Sequence, residues 1–273
     1  MRRVLIVLGL ATVAACGDSN SGGSPTSSSP TTTAVSVTVS SPLRMGQTTQ
    51  ASGTETQSGG QTQSITSGWL SDAPAVATAT GAGLVTGVAN GRATIHVVAG
   101  GRLGQQVIRV LPDYQGRWSG GLRITSCTQS GIFAQIDFCS EFPAGFTSGY
   151  TLALAQSGEQ MTATASYGDP PFPGVAAPVR EDGSSAFTPQ LSITDSGVTL
   201  TVDAAFSINS LRIGELTGTV DEVWRVPNVP GEGRLVQNII GTTRTSTTTS
   251  NGNGSGRNGV SRLRILRKLA QDR

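Results

Sequence analysis

The sequence predicts an all-β protein: a β-sandwich followed by an antiparallel β-barrel or a second sandwich. Three observations carry this. Glycine fills 36 of 273 positions, among abundant threonine, serine and valine. Short stretches alternate apolar with small polar residues, the two-residue period of strands. There is almost no helical periodicity before residue 260. After an N-terminal segment and a tether, about 240 residues remain, which suits two domains better than one.

The N-terminus reads as an export signal. Met1-Arg2-Arg3 supplies positive charge, Val4 to Leu10 an apolar core, and Val13-Ala14-Ala15 the small residues of a cleavage site. Roughly 12 apolar residues are too few to span a bilayer, so residues 1–15 are expected to be removed. "VAAC" resembles the lipobox of bacterial lipoproteins. The resemblance implies that Cys16 becomes the first mature residue and carries the lipid, and several acyl chains at ~0.8 kcal/mol per buried CH₂ hold a protein to a membrane. It also implies an outer-membrane address, periplasmic or surface-facing, because Gly17 stands where an inner-membrane retention aspartate would. Residues 16–33, rich in Ser, Thr, Gly and Pro, cannot bury apolar area and read as a tether.

Residues 34–111 are the first predicted domain. "AVSVTVSS" alternates as a strand with one buried face. Gly81-Ala82-Gly83 and Asn90-Gly91 mark turns between short β-prone runs. Trp69, Ser71, Pro74, Val76 and Ala77, then Gly83, Val85, Thr86, Gly87, Val88 and Gly91, then Ala93, Thr94 and Ile95 stand in a spaced pattern. This pattern resembles the bacterial immunoglobulin-like domain, group 2, and implies an Ig-like sandwich. Trp69, Val76, Leu84, Val88, Ile95 and Val97 are its expected core. Residues 53–67 are polar and glycine-rich where the family has a strand pair, so an irregular loop is expected. His96, the sole histidine, alternates with Ile95 and Val97 and belongs on the outer face.

Residues 112–245 form the second predicted domain. Strands are expected over 150–156, 160–166, 175–180, 198–206, 211–220 and 235–243, with Ser157-Gly158 and Ser196-Gly197 as hairpin turns. Such meanders commonly close into barrels to remove their edges. Gly116-Arg117-Trp118 resembles the Gly-x-Trp signature of lipocalin-like barrels. That resemblance implies that Trp118 plugs the closed end under a late-strand arginine, Arg225 or Arg244; equally, Trp118 is a core aromatic of a second sandwich. Leu152, Leu154, Met161, Leu200, Val202, Ile213 and Leu216 face inward, to line a pocket or fill a core. Alanines at 153, 155, 163 and 165 lighten one face.

With Cys16 assigned to lipid, Cys127 and Cys139 remain as a pair, and in an exported chain they read as a disulfide. Between them Ile132, Phe133, Ile136 and Phe138 make either a lid or contact patch, or packing beneath the loop. A net charge of +2 with 13% charged residues gives no field to steer nucleic acid. One histidine excludes nucleophile–histidine and histidine-rich metal chemistry, and no cofactor motif is present. The adjacent carboxylates Glu181-Asp182 and Asp221-Glu222 face opposite sides of a strand, so neither pair converges on a substrate. A hydrolase would have to be built from scattered carboxylates.

Residues 246–273 read as a disordered tail ending in a short basic amphipathic segment. Leu263, Leu266 and Leu269 stand at helical spacing, with Arg262, Arg264, Arg267 and Lys268 as a candidate lipid- or partner-contacting set. The expectation is a non-enzymatic envelope lipoprotein, attached to the membrane through its N-terminal lipid. Its Ig-like spacer presents a barrel-like domain that binds a small apolar ligand or an envelope protein or glycan. The alternative is a purely structural envelope role without a ligand.

Overall fold

The computed structural model describes residues 29–245 and 262–271. Cys16, expected to carry lipid, residues 1–15, expected to be an export signal, and most of the two expected tethers lie outside the described residues. The apolar side chains gather into two separate clusters, one drawn from residues 39–110 and one from 111–239 together with 265–269.

The first cluster sits between short sheets. The strands are β1 (Thr32–Thr38), β2 (Leu43–Arg44), β3 (Thr48–Gln50), β4 (Ser52–Gln57), β5 (Thr62–Ile65), β6 (Leu70–Ser71), β7 (Ala77–Ala79), β8 (Leu84–Gly87), β9 (Gly91–Ala99) and β10 (Arg102–Leu111). They pair as β1-β4-β5, β2-β10-β9-β6 and β3-β8-β7. Trp69 fills the centre at 1% exposure, with Val85, Ile95, Val97, Ile108 and Val110 fully buried around it. Two glycines admit the indole: a Cβ on Gly53 or on Gly83 would stand 3.0 Å from its ring atoms.

Three expectations for this region are corrected. Residues 53–67 are not an irregular loop, because β4 and β5 form an antiparallel hairpin whose backbone pairing needs no apolar side chains. β1 begins at Thr32, which is buried and hydrogen-bonds the Glu55 carboxylate, so the N-terminal tether stops short of residue 33. Leu84 and Val88 are exposed, while Val85 and Gly87 between them point inward. A one-residue shift in reading a strand exchanges its faces.

The second cluster lies within one curled sheet. Its elements are β11 (Gly116–Gln129), α1 (Ile132–Gln135), α2 (Phe138–Glu141), β12 (Thr147–Ser157), β13 (Gln160–Ser166), β14 (Val175–Pro178), β15 (Ser184–Phe187), β16 (Gln190–Asp195), β17 (Val198–Asn209), β18 (Thr217–Arg225), β19 (Gly233–Thr245) and α3 (Arg262–Gln271). The order β14-β13-β12-β11-β19-β18-β17-β15 is antiparallel throughout, and β16 adds to β17. The end strands meet: Ser185 Oγ donates to the Pro178 carbonyl at 2.7 Å, and the Arg180 amide to Ser184 at 3.0 Å. Two register shifts between β11 and β19 sharpen the twist that brings them round. Ser196 and Gly197, at φ 52° and 76°, make the tight hairpin turn that two positive-φ residues favour. The preceding hairpin turns on Gly158-Glu159 rather than Ser157-Gly158.

Further corrections concern the sheet's edges and its C-terminal end. Residues 211–216 are not strand; Ile213 is exposed and packs against Gly46 of the first unit, whereas Leu216 is buried. The tail is not disordered over its last turns. Residues 262–271 form α3, which buries Ile265, Leu266 and Leu269 in the second core.

The units also touch each other. Asp113, in the connection between them, accepts from Arg44 Nη1 at 3.3 Å and from Arg244 Nη1 at 2.8 Å. Asn90 Nδ2 donates to the Ser210 carbonyl at 2.8 Å, and Arg92 and Arg109 pair with Glu181 and Glu159. The buried Gln156 side chain binds the connection itself: it accepts from the Tyr114 amide at 2.8 Å and donates to the Pro112 carbonyl at 3.0 Å.

Candidate binding site in the barrel-like unit

Both ends of the curled sheet are closed by side chains. At one end Trp118, fully buried, donates its indole N–H to the Tyr114 carbonyl at 2.8 Å. The Arg244 guanidinium lies 5.4 Å over the Trp118 ring and is held there by Asp113 and the Gln115 carbonyl. Gly116, at φ +129°, lets Arg244 pass, since a Cβ there would be 3.1 Å from its Nε. The late-strand arginine over Trp118 is therefore Arg244. Arg225 is elsewhere, exposed and bridging Asp203 and Glu232 at 3.0 Å each.

At the other end the Cys127–Cys139 disulfide pins the segment carrying α1 and α2. Phe133, Ile136 and Phe138 turn down into the core instead of outward, so the segment is packing rather than a contact patch. Phe138 meets Phe133 edge-on, Phe142, and the Trp224 indole at 5.4 Å between centroids. Aromatic pairs of this kind add to stability beyond the area they bury.

α3 also packs at this end. Arg262, expected on a surface, is 1% exposed: its guanidinium carbon sits 4.5 Å from the Phe172 ring centroid and 5.1 Å from Tyr167, and its Nη1 donates to the Pro170 carbonyl at 2.7 Å. It faces inward because it shares a helix face with Ile265, Leu266 and Leu269, at i, i+3, i+4 and i+7. Arg264 and Lys268 reach the Glu141 carboxylate at 3.2 and 2.5 Å, so both are engaged within the chain. Arg267 lies exposed, 3.9 Å from Asp195.

Beneath Arg262 is a cavity of about 10 Å³, room for roughly one water, lined in part by Ser148, Tyr167, Glu222, Trp224 and Gln237. Glu222 is 2% exposed; its Oε2 accepts from the Trp224 indole at 2.9 Å, and its Oε1 has no partner. The Tyr167 hydroxyl and Arg262 Nε are likewise buried without partners. Burial, with the Glu222 charge beside it, holds the Tyr167 phenol well above the usual tyrosine range, against the opposing pull of Arg262. Glu222 reached this position through alternation: Val220, Glu222 and Trp224 point inward from β18, while Asp221 points out to Arg234 at 2.5 Å. The pattern was present in "TVDEVW", but Tyr167 and Phe172 carry no comparable signal.

His96 sits on the outer face of β9, opposite Leu70 and Gln105, and is half-buried. Among the described residues no three His, Cys, Asp or Glu side chains gather as metal ligands would, and no helix is long and apolar enough to cross a membrane.

Residues 31–109 match the family model of the bacterial Ig-like domain (group 2). No curated protein matches the chain. Among solved structures it is similar to domains 5–6 of the S-layer protein SbsC, at 15% identity and a TM-score of 0.28, over 81% of this chain and 100% of that one.

Proposed function

We propose, with residues 31–109 as a bacterial Ig-like domain, that the chain is a non-catalytic binding module of the cell envelope. Lipid on Cys16 anchors it, Gly17 in the place of a retention aspartate directs it to the outer membrane, and the Ig-like unit holds the barrel-like unit away from the anchor. The observation that carries this is the bridge at Asp113: one carboxylate joins Arg44 of the first unit to Arg244, which in turn covers Trp118 of the second. A spacer locked to its neighbour presents that neighbour in a fixed orientation.

The filled interior supports a macromolecular partner over a small apolar ligand. Ligand pockets commonly enclose ~300–1,000 Å³, whereas the cavity beneath Arg262 is about 10 Å³. The partner reading is tested with purified chain starting at residue 17, incubated with isolated envelopes and with peptidoglycan sacculi. Saturable binding that free protein competes away is expected; no binding to either favours the purely structural role. Palmitate labelling of wild type and Cys16→Ala tests the anchor: label on wild type alone is expected, and label on both removes Cys16 from the account.

A further inference from the structure

The contact between α3 and the sheet has the chemistry of a receptor and its ligand. The receptor half is a cup with an acidic rim, Glu141 and Asp195, and a buried carboxylate at its floor, Glu222. Its wall carries two aromatic rings and a carbonyl at the spacing a guanidinium needs, from Tyr167, Phe172 and Pro170. The ligand half is a short helix with an apolar stripe, one buried arginine and three further basic residues. It is joined to β19 by residues 246–261, a stretch of mostly Thr, Ser, Asn and Gly. Opposite charges therefore meet at the rim, and a cation meets π faces inside.

The fit is incomplete at the floor. Arg262 Nε and Glu222 Oε1 each lack a partner, and a water-sized cavity lies beneath the guanidinium. α3 thus leaves the Glu222 Oε1 acceptor without the donor that a better-placed cation would supply. A ten-residue helix is also marginal by itself, so α3 holds its place through its contacts with the cup.

We propose that this cup is a recognition site for an arginine-bearing basic amphipathic helix of a partner protein, and that α3 occupies it in cis as an internal competitor. This deepens the binding-module reading and rests on it for the existence of a partner; the guanidinium site itself stands on the geometry of Arg262 alone.

The test uses the full chain with a protease site placed within residues 246–261 and cut after folding, so that α3 remains only by its contacts. A fluorescent peptide of residues 260–273 is then added in excess, beside the same peptide with Arg262→Ala. The wild-type peptide is expected to exchange into the cup, and the variant to bind at least ~10-fold more weakly. Equal binding of the two peptides, or no exchange while β18 stays protected from hydrogen exchange, overturns the proposal. A second arm needs no cutting: full-length Arg262→Ala is melted with and without methylguanidinium, with tetramethylammonium as control. A rise in Tm confined to the variant and to methylguanidinium supports a guanidinium site; the same response in wild type and variant overturns it. Failure of envelope binding with success here would remove the partner's location and leave the site standing.

Discussion

Replacing Leu266 with alanine should release α3 before it unfolds the sheet. Leu266 is fully buried, and with Ile265 and Leu269 it supplies the apolar anchor of the helix. Leu→Ala substitutions in packed cores cost ~2–5 kcal/mol, from lost transfer energy and the void left behind. A ten-residue helix contributes little stability of its own, so the loss falls on docking. At ~3 kcal/mol the open, undocked population rises roughly 150-fold. Hydrogen exchange read by mass spectrometry resolves this directly. Amides of Arg262–Gln271 should lose protection by about that factor, while amides of Thr217–Arg225 in β18 change far less. If α3 and β18 lose protection together, the helix is an inseparable part of the sheet's core and not a dockable plug. If neither changes, Leu266 is not the anchor described.

Other outcomes follow from the same contacts. Cys127→Ser with Cys139→Ser should lower unfolding stability by ~2–4 kcal/mol in denaturant melts, since the bridge closes a short loop over buried phenylalanines. The chain's three tyrosines, Tyr114, Tyr150 and Tyr167, are all held above their usual range, chiefly by burial. Their neutral forms therefore favour the fold below pH ~10, and this contribution is lost as pH rises further. Ultraviolet titration should show tyrosinate appearing only with unfolding; ionisation of all three in the native protein near pH 10 contradicts the burial. Asp221 is held low by its hydrogen bond from Arg234, so what it adds to stability is complete at neutral pH and fades as pH falls below ~4. Asp221→Asn should flatten that acid limb of the stability curve. Asp113→Ala should loosen the two units without unfolding either, broadening the size distribution seen by small-angle scattering while near-ultraviolet dichroism persists.

Where side chains decide the structure, the sequence was readable. Trp69, Ile95 and Val97 stand in a spaced motif and fill the first core, and Leu152, Leu154, Leu200 and Val202 alternate into the second. The failures share a cause: backbone pairing and tertiary contact leave little trace in composition. The β4–β5 hairpin is polar on most of its surface, so its strands carry no apolar alternation. Leu84 and Val88 outweigh Val85 and Gly87 in size, which drew the inward face one residue out of place. The basic residues of α3 read as a lipid- or partner-contacting set, yet their partners Glu141 and Pro170 lie about a hundred residues earlier and become visible only in the fold.

The barrel-like unit is filled by its own side chains and α3, which leaves the cup as its proposed recognition surface. A native mass spectrum of the chain from residue 17, purified from an oxidising compartment and compared with its denatured spectrum, tests this most directly. Equal masses are predicted, each lacking the two hydrogens of the Cys127–Cys139 pair. A heavier native species that sheds a lipid-sized molecule on denaturation would contradict it, because a cavity of about 10 Å³ has no room for one.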